Sequence, residues 1–181
     1  VTTSPAAQSI VSNVSGRSDV HFIPNATTLS HLPFYDLPPL KDNPYIVSFG
    51  YGKTREVTKV FLSLSNYLPH VRFYLFSTTP QFLFQTGDVY RLGVRNNIFV
   101  CESVHPYLLA SFCVRASAAL HPYRFEQERQ VADSLSAYDS LAMNIPTVLI
   151  NSQCVGGAHL VKSFVSDDNE KDIEKIAETL K

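Results

Sequence analysis

Short apolar runs alternate along this chain with segments whose apolar residues recur at helical spacing. The runs are Tyr45-Ile-Val-Ser-Phe49, Val71-Arg-Phe-Tyr-Leu-Phe76, Asn97-Ile-Phe-Val-Cys101, Ser117–His121 and Pro146-Thr-Val-Leu-Ile150. Such short, nearly continuous runs suit strands buried on both faces. A sixth, shorter strand is expected at Ser163–Val165. Between the runs, Val57, Val60, Phe61, Leu64 and Leu68 share one helical face, and residues 105–116 and Ser134–Met143 read as helices. Ser166 or Asp167 caps a last helix with Ile173, Ile176, Ala177 and Leu180 on one side. Strands alternating with helices predict βαβ units, and therefore an α/β, Rossmann-like parallel sheet of about six strands with helices on both faces.

The first 44 residues follow another pattern. Ser4-Pro5 reads as an N-cap followed by proline at the first helical position, which predicts a helix running to Asn13. Val20-His-Phe-Ile23 is expected to be a short strand. Residues 24–44 then hold Pro24, Pro33, Pro38, Pro39 and Pro44, five of the eleven prolines. Proline supplies no ladder donor and breaks helices, so an extended surface linker is expected here. The organisation is thus residues 1–44 as a leading segment with linker, and residues 45–181 as the Rossmann-like domain.

Composition narrows the class. The 181 residues suffice for one domain, and 45% of them are hydrophobic. Only 17% are charged, against about 25% in an average globular domain, so some of the surface is expected to face another domain. Fifteen Lys and Arg nearly cancel sixteen Asp and Glu, which leaves no basic footprint for nucleic acid. No apolar run approaches the ~20 residues of a membrane span, and the expected compartment is the cytoplasm. Cys101, Cys113 and Cys154 are too widely spaced for a CxxC metal pair, and no His/Cys/Asp spacing suggests a metal site.

In a doubly wound sheet, ligands sit at the carboxyl ends of the strands, near the point where strand order reverses. Four loops therefore matter: 50–55, 77–82, 101–105 and 121–135. Gly50-Tyr-Gly-Lys-Thr54 fails the P-loop pattern because position 47 is Val47, and fails GxGxxG because position 55 is Arg55. What remains is a glycine turn opening a helix, which is a phosphate seat or a plain tight turn. Glu102 follows a buried strand, where a carboxylate binds sugar or ribose hydroxyls or caps a helix. His105 and His121 sit at similar strand ends, and a lone histidine there is more often a hydrogen-bonded structural residue than a catalyst. Asp133 or Ser134 opens a helix whose free N–H groups and dipole favour an anion, with the hydroxyls of Ser134 and Ser136 as further donors.

The stretch Asp133-Ser-Leu-Ser-Ala-Tyr-Asp-Ser-Leu-Ala-Met-Asn-Ile-Pro146 resembles the donor-binding helix of GT-B nucleotide-sugar glycosyltransferases. Val1-Thr-Thr-Ser-Pro5 and Phe22-Ile-Pro-Asn25 resemble the segment of that family that passes from the acceptor domain into the donor domain. With Val47-Ser-Phe-Gly50, Cys101-Glu102, Pro122-Tyr123, Glu126-Gln127 and Ala132-Asp-Ser134, the pattern is most similar to the xanthan-pathway glucuronosyltransferase (GumK) family. The resemblance implies one half of a GT-B architecture, with residues 1–44 as the end of the acceptor domain and its linker. It implies a nucleotide-sugar donor, a UDP-sugar in the first place, as substrate, with no metal and no further cofactor. The partner would be an N-terminal acceptor domain, which would also supply any peripheral membrane association. Carried over by position, the donor-binding residues are Gly52, Glu102, Tyr123, Ser134, Leu135, Ser136 and Asp139, and Gly50 of the same glycine turn joins them as a candidate.

Three positions depart from the family pattern. Its phosphate-binding lysine falls on Ser136, its glycine before Ile145-Pro146 is Asn144, and the first glutamate of its retaining members falls on Val131. Lys53, Arg55 or Arg124 is expected to replace the missing cation. The alternative is a non-catalytic Rossmann-like interaction module whose nucleotide site has decayed.

Overall fold

The fold was analysed in a computed structural model, which describes residues 5–21, 44–49, 55–76, 95–101, 104–122, 135–151, 161–164 and 170–181. The linker predicted over residues 24–43 lies outside these. Among the described residues the strands are β1 (Tyr45–Ser48), β2 (Arg72–Phe76), β3 (Ile98–Cys101), β4 (Ala118–Pro122), β5 (Thr147–Ile150) and β6 (Val161–Phe164). The helices are α1 (Pro5–Ser15), α2 (Arg55–Tyr67), α3 (Pro106–Cys113), α4 (Leu135–Ala142) and α5 (Glu170–Thr179). The six strands form one sheet in the order β3-β2-β1-β4-β5-β6, and every neighbouring pair is parallel. The expected six-stranded parallel sheet is therefore present.

Side chains on successive strand residues leave opposite faces of the sheet, and both faces are apolar here. Ile46, Phe73, Leu75, Ile98, Ala118, Leu120, Val148 and Ile150 point to one side. There they meet Val60, Phe61, Leu64 and Leu68 around α2, and Ile173, Ile176 and Ala177 of α5. Tyr45, Val47, Phe49, Phe76 and Ala119 point to the other side, against Ala110 and Cys113 of α3 and against Met143 and Ile145 just beyond α4. A sheet covered twice must be apolar twice, which is why its strands read as continuous runs.

Local chemistry sets the ends of the elements. Helix α3 is capped by His105, whose Nδ1 accepts from the Tyr107 backbone N–H at 3.4 Å, with Pro106 at the first helical position. It stops at Cys113, earlier than the expected residue 116, because the chain has to turn there to enter β4. The Ala116 N–H closes that turn on the Cys113 carbonyl at 2.8 Å. At the end of α2, the Asn97 side-chain amide donates to the carbonyls of Leu68 at 3.1 Å and Val71 at 3.0 Å. The Leu68 carbonyl at the end of α2 and the Val71 carbonyl before β2 are thereby satisfied, and the start of β3 is tied to both.

Two expectations need correction. Val20 and His21 are not in a strand: the Val20 carbonyl accepts from the Gln8 side-chain amide of α1 at 2.6 Å, so α1 takes the place of a neighbouring strand. β6 begins at Val161 rather than Ser163, because pairing with β5 (Thr147↔Val161, Ile150↔Phe164) recruits Lys162 and Ser163 despite their polarity.

Tyr45 spans the inner layer. Its phenol donates to the Phe112 carbonyl at 2.7 Å, and its ring lies edge-on to Tyr74 at 5.6 Å. Burial pushes the Tyr45 phenol up to about 12, with the Cys113 thiol adding to the shift. The neutral form is thus favoured in the folded state. The stability it contributes is complete below the ordinary tyrosine value of about 10 and is lost as the pH rises from there through about 12. Tyr45→Phe should cost about 1 kcal/mol at pH 8, the usual net value of one such hydrogen bond. Urea unfolding at pH 8 and pH 11 should show that gap closing at the higher pH, because only the wild type loses this contribution on deprotonation.

Candidate functional site at the carboxyl edge of β1 and β4

Strand order reverses between β1 and β4: β2 and β3 lie beyond β1, and β5 and β6 lie beyond β4. Because all strands are parallel, the ends of β1 at Ser48, β2 at Phe76, β3 at Cys101 and β4 at Pro122 share one edge. The chain therefore leaves all four strands at the same edge of the sheet. Two loops leaving next to each other at a reversal point make a crevice, since the chain departs toward opposite faces of the sheet there.

Helix α4 closes one wall of that crevice. Residues 143–146 join its end directly to the start of β5, so its last turn lies at the amino edge of the sheet. Eight residues at about 1.5 Å each carry its first turn back toward the carboxyl edge. The free N–H groups and the positive end of the helix dipole thus lie on the crevice side. Leu135 is 50% exposed there, whereas Ser136 is buried at 8%. Asp139 is half-buried one turn further along, close enough to Cys113 to push the already buried thiol further up.

Helix α4 ends in a Schellman motif. The Ile145 N–H bonds the Ser140 carbonyl at 3.0 Å, and the Asn144 N–H bonds the Leu141 carbonyl at 2.9 Å. The motif needs a left-handed residue, and Asn144 supplies it with φ of 56°. Asparagine tolerates that region better than other residues bearing a Cβ. It therefore fills the conformational role of the glycine expected at this position, and the departure at Asn144 is no sign of a lost turn.

The crevice floor holds a polar cluster in a largely apolar layer. His121, 1% exposed near the end of β4, sets its ring edge-on against Phe49 at 4.7 Å. Its Nε2 lies 2.9 Å from the Ser140 hydroxyl, and that hydroxyl donates to the Ser136 carbonyl at 2.9 Å. A hydroxyl has one hydrogen to give, so Ser140 accepts from the histidine, and Nε2 carries the hydrogen. Next door, at the end of β5, buried Asn151 is also left-handed, with φ of 56°, and its N–H bonds the Phe164 carbonyl at 2.8 Å.

Of the candidate donor-binding residues, Leu135, Ser136 and Asp139 are placed together on α4. Gly50, Gly52, Lys53, Glu102, Tyr123, Arg124 and Ser134 lie outside the described residues. The described chain reaches Phe49, Cys101 and Pro122, immediately before Gly50, Glu102 and Tyr123. His105 is the cap of α3. Sequence reasoning did not pair His121 with Ser140, which lies nineteen residues on. The only hint was a serine pair at i and i+4 on a face otherwise fit for the core. Burial holds the Cys101 and Cys113 thiols above the usual cysteine range, so neither is a ready nucleophile. Among the described residues no group of three or more His, Cys, Asp or Glu side chains is placed to hold a metal ion. No helix among them is long and apolar enough to cross a membrane.

Sheet order, parallel register and the crevice at the reversal point define a Rossmann-like, doubly wound domain. The chain matches no known family profile and no curated protein sequence. Solved structures share its fold. Sucrose-phosphate synthase from Thermosynechococcus elongatus is 17% identical with a TM-score of 0.70, over 99% of this chain and 48% of that one. Anabaena HepE, solved in complex with UDP and glucose, is 15% identical with a TM-score of 0.68, over 98% of this chain and 52% of that one. AviGT4, a glycosyltransferase involved in avilamycin A biosynthesis, is 12% identical with a TM-score of 0.64, over 99% and 54%. The fold is that of one half of a GT-B architecture, and the chain spans about half the length of these structures.

Stability can test the role of Asn144. Asn144→Ala should lower it by about 1 kcal/mol, since alanine pays the left-handed penalty without a compensating side-chain bond. Asn144→Gly should be neutral or raise the melting temperature by a few degrees. An alanine variant as stable as the wild type would show that the left-handed turn is not needed.

Proposed function

We propose that this chain is the donor-binding half of a glycosyltransferase that takes a nucleotide-sugar, a UDP-sugar first among candidates, in the synthesis of a polysaccharide or other glycoconjugate. The observation that carries the reading is the placing of the α4 N-terminus beside the β1–β4 reversal point. Neighbours of the same fold support it, one of them solved with UDP and glucose and another a glycosyltransferase of avilamycin A biosynthesis. The uracil would lie near Tyr123 or the 77–82 loop, the ribose hydroxyls near Glu102, and the diphosphate over the first turn of α4. In the transfer, the bond from the anomeric carbon to the diphosphate oxygen breaks, and a bond to an acceptor hydroxyl oxygen forms. The acceptor proton goes to a base in the facing N-terminal domain, which also binds the acceptor and provides any contact with a membrane. This half holds the leaving diphosphate through oriented N–H groups and hydroxyls, assisted by Lys53, Arg55 or Arg124 in place of a lysine at Ser136. Half-exposed Leu135 and Val104 at the same edge suit a surface that a second domain covers. The sequence resemblance to the glucuronosyltransferase family favours UDP-glucuronate within the donor class.

Calorimetry against UDP-, GDP- and ADP-sugars tests the proposal. UDP and at least one UDP-sugar should bind in the micromolar to millimolar range, and Glu102→Ala should weaken them about tenfold or more, the value of one charge-assisted contact. Ser136→Lys should strengthen binding about ten- to a hundredfold if the lysine stem runs along α4 to the crevice. Absence of binding by every nucleotide at millimolar concentration would establish the decayed, non-catalytic module instead.

A further inference from the structure

We propose that His121 is a positioning residue for the nucleotide site: it holds the first turn of α4, and with it the N–H groups that face the crevice, through the chain His121 Nε2–H to Ser140 Oγ–H to the Ser136 carbonyl. The inference rests on the nucleotide-binding reading for its ligand, but its geometric basis is independent of any ligand.

One side chain here touches all three elements that make the crevice. His121 belongs to β4, its ring abuts Phe49 just beyond β1, and its Nε2 reaches Ser140 on α4. The Phe49 edge contact fixes the ring plane, and the Ser140 bond fixes the distance of α4 from the sheet. Ser140 passes the constraint one turn up the helix, because its hydrogen goes to the carbonyl of Ser136 in the first turn. Both bonds measure 2.9 Å, and Ser140 is fully buried. Bonds in such low-dielectric surroundings are stronger than in water and polarise one another along the chain.

The direction of the chain is fixed as well. Since Ser140 donates to the carbonyl, it needs a donor at its other side, and the Nε2–H is that donor. This hydrogen is present in both the neutral Nε2–H tautomer and the imidazolium, so the chain persists on protonation. A serine in the middle of a helix that bonds back to the i−4 carbonyl commonly loosens or bends it. The histidine bond opposes that tendency by anchoring the same hydroxyl to β4.

Replacing His121 by Phe keeps a ring against Phe49 and removes the donor. Ser140→Ala removes the relay, and His121→Gln retains an N–H donor of similar reach. The test combines UDP calorimetry with amide hydrogen exchange at Asp139 and Ser140, whose N–H groups close the first turn of α4, using Val148 and Leu149 of β5 as internal controls. His121→Phe and Ser140→Ala should each weaken UDP about tenfold, as expected for loss of one buried hydrogen bond, and should speed exchange at Asp139 and Ser140 well beyond the controls. The double variant should be no worse than the worse single one, because both changes break the same chain. His121→Gln should recover most of the affinity. Unchanged affinity and exchange in folded His121→Phe and Ser140→Ala would overturn the proposal. So would exchange that rises equally in α4 and β5, since that marks a general loss of stability. Should His121→Phe fail to fold, Ser140→Ala and His121→Gln decide the matter by the same measurements. A wild type that binds no nucleotide, with exchange still quickened only in α4, would refute the nucleotide reading while upholding the hold of His121 on the helix.

Discussion

The pairing of β1 with β4 is the constraint on which the rest of the molecule depends. It joins the two halves of the sheet, and each strand is buried on both faces: Ile46 and Leu120 meet the α2–α5 layer, while Val47 and Ala119 meet the α3 side. A one-residue slip would exchange these faces and bring His121 into the layer of Phe61 and Leu64. The helical layers oppose such an exchange, because the side chains that α2 and α5 pack against the sheet are mostly apolar and the buried Ser65 hydroxyl is already bonded to the Leu62 carbonyl. Register, layer composition and the place of buried His121 are therefore a single choice.

That choice also sets where chemistry can occur. Buried parallel strands leave no polar group accessible along their length, so binding groups collect where the chain leaves the sheet. The β1–β4 edge differs from the others because adjacent loops diverge from it, and because α4 returns its amino end to it. Within this frame His121, Ser140 and Ser136 form a hydrogen-bonded polar cluster in a well-packed layer. Such a cluster is costly to bury unless its bonds are made, and that cost ties α4 to β4 in one arrangement.

Most of the fold was legible in the sequence because unbroken apolar runs and helical spacing are local signals. Pro106 acts within its own neighbourhood, so the position of α3 could be read closely, whereas Asn97 bonds back to Leu68 and Val71 across the preceding strand. What could not be read depended on partners distant in sequence. Val20 looked like a strand, but no alternation reveals that a glutamine on α1 satisfies its carbonyl. Lys162 and Ser163 carry no strand preference, and β5 recruits them. Asn144 looked like a departure from glycine, yet its left-handed φ meets the same demand. Of the candidate site, the α4 positions were found by likeness to a known helix, whereas His121 and Ser140 are linked only through the folded sheet.

Ser136 brings these strands of argument together. On the proposed reading, the residue that elsewhere extends a cation toward a diphosphate here turns inward, and its carbonyl ends the bonded chain from β4. The site then loses a mobile point charge and keeps a helix end held more rigidly. Charge from a long side chain costs rotamer entropy when it is fixed on a ligand, whereas backbone N–H groups are fixed before the ligand arrives. Such a site trades Coulombic attraction for preorganisation. Its affinity for a diphosphate is then modest and less sensitive to salt, while its geometry stays suited to a charge that develops on a leaving group.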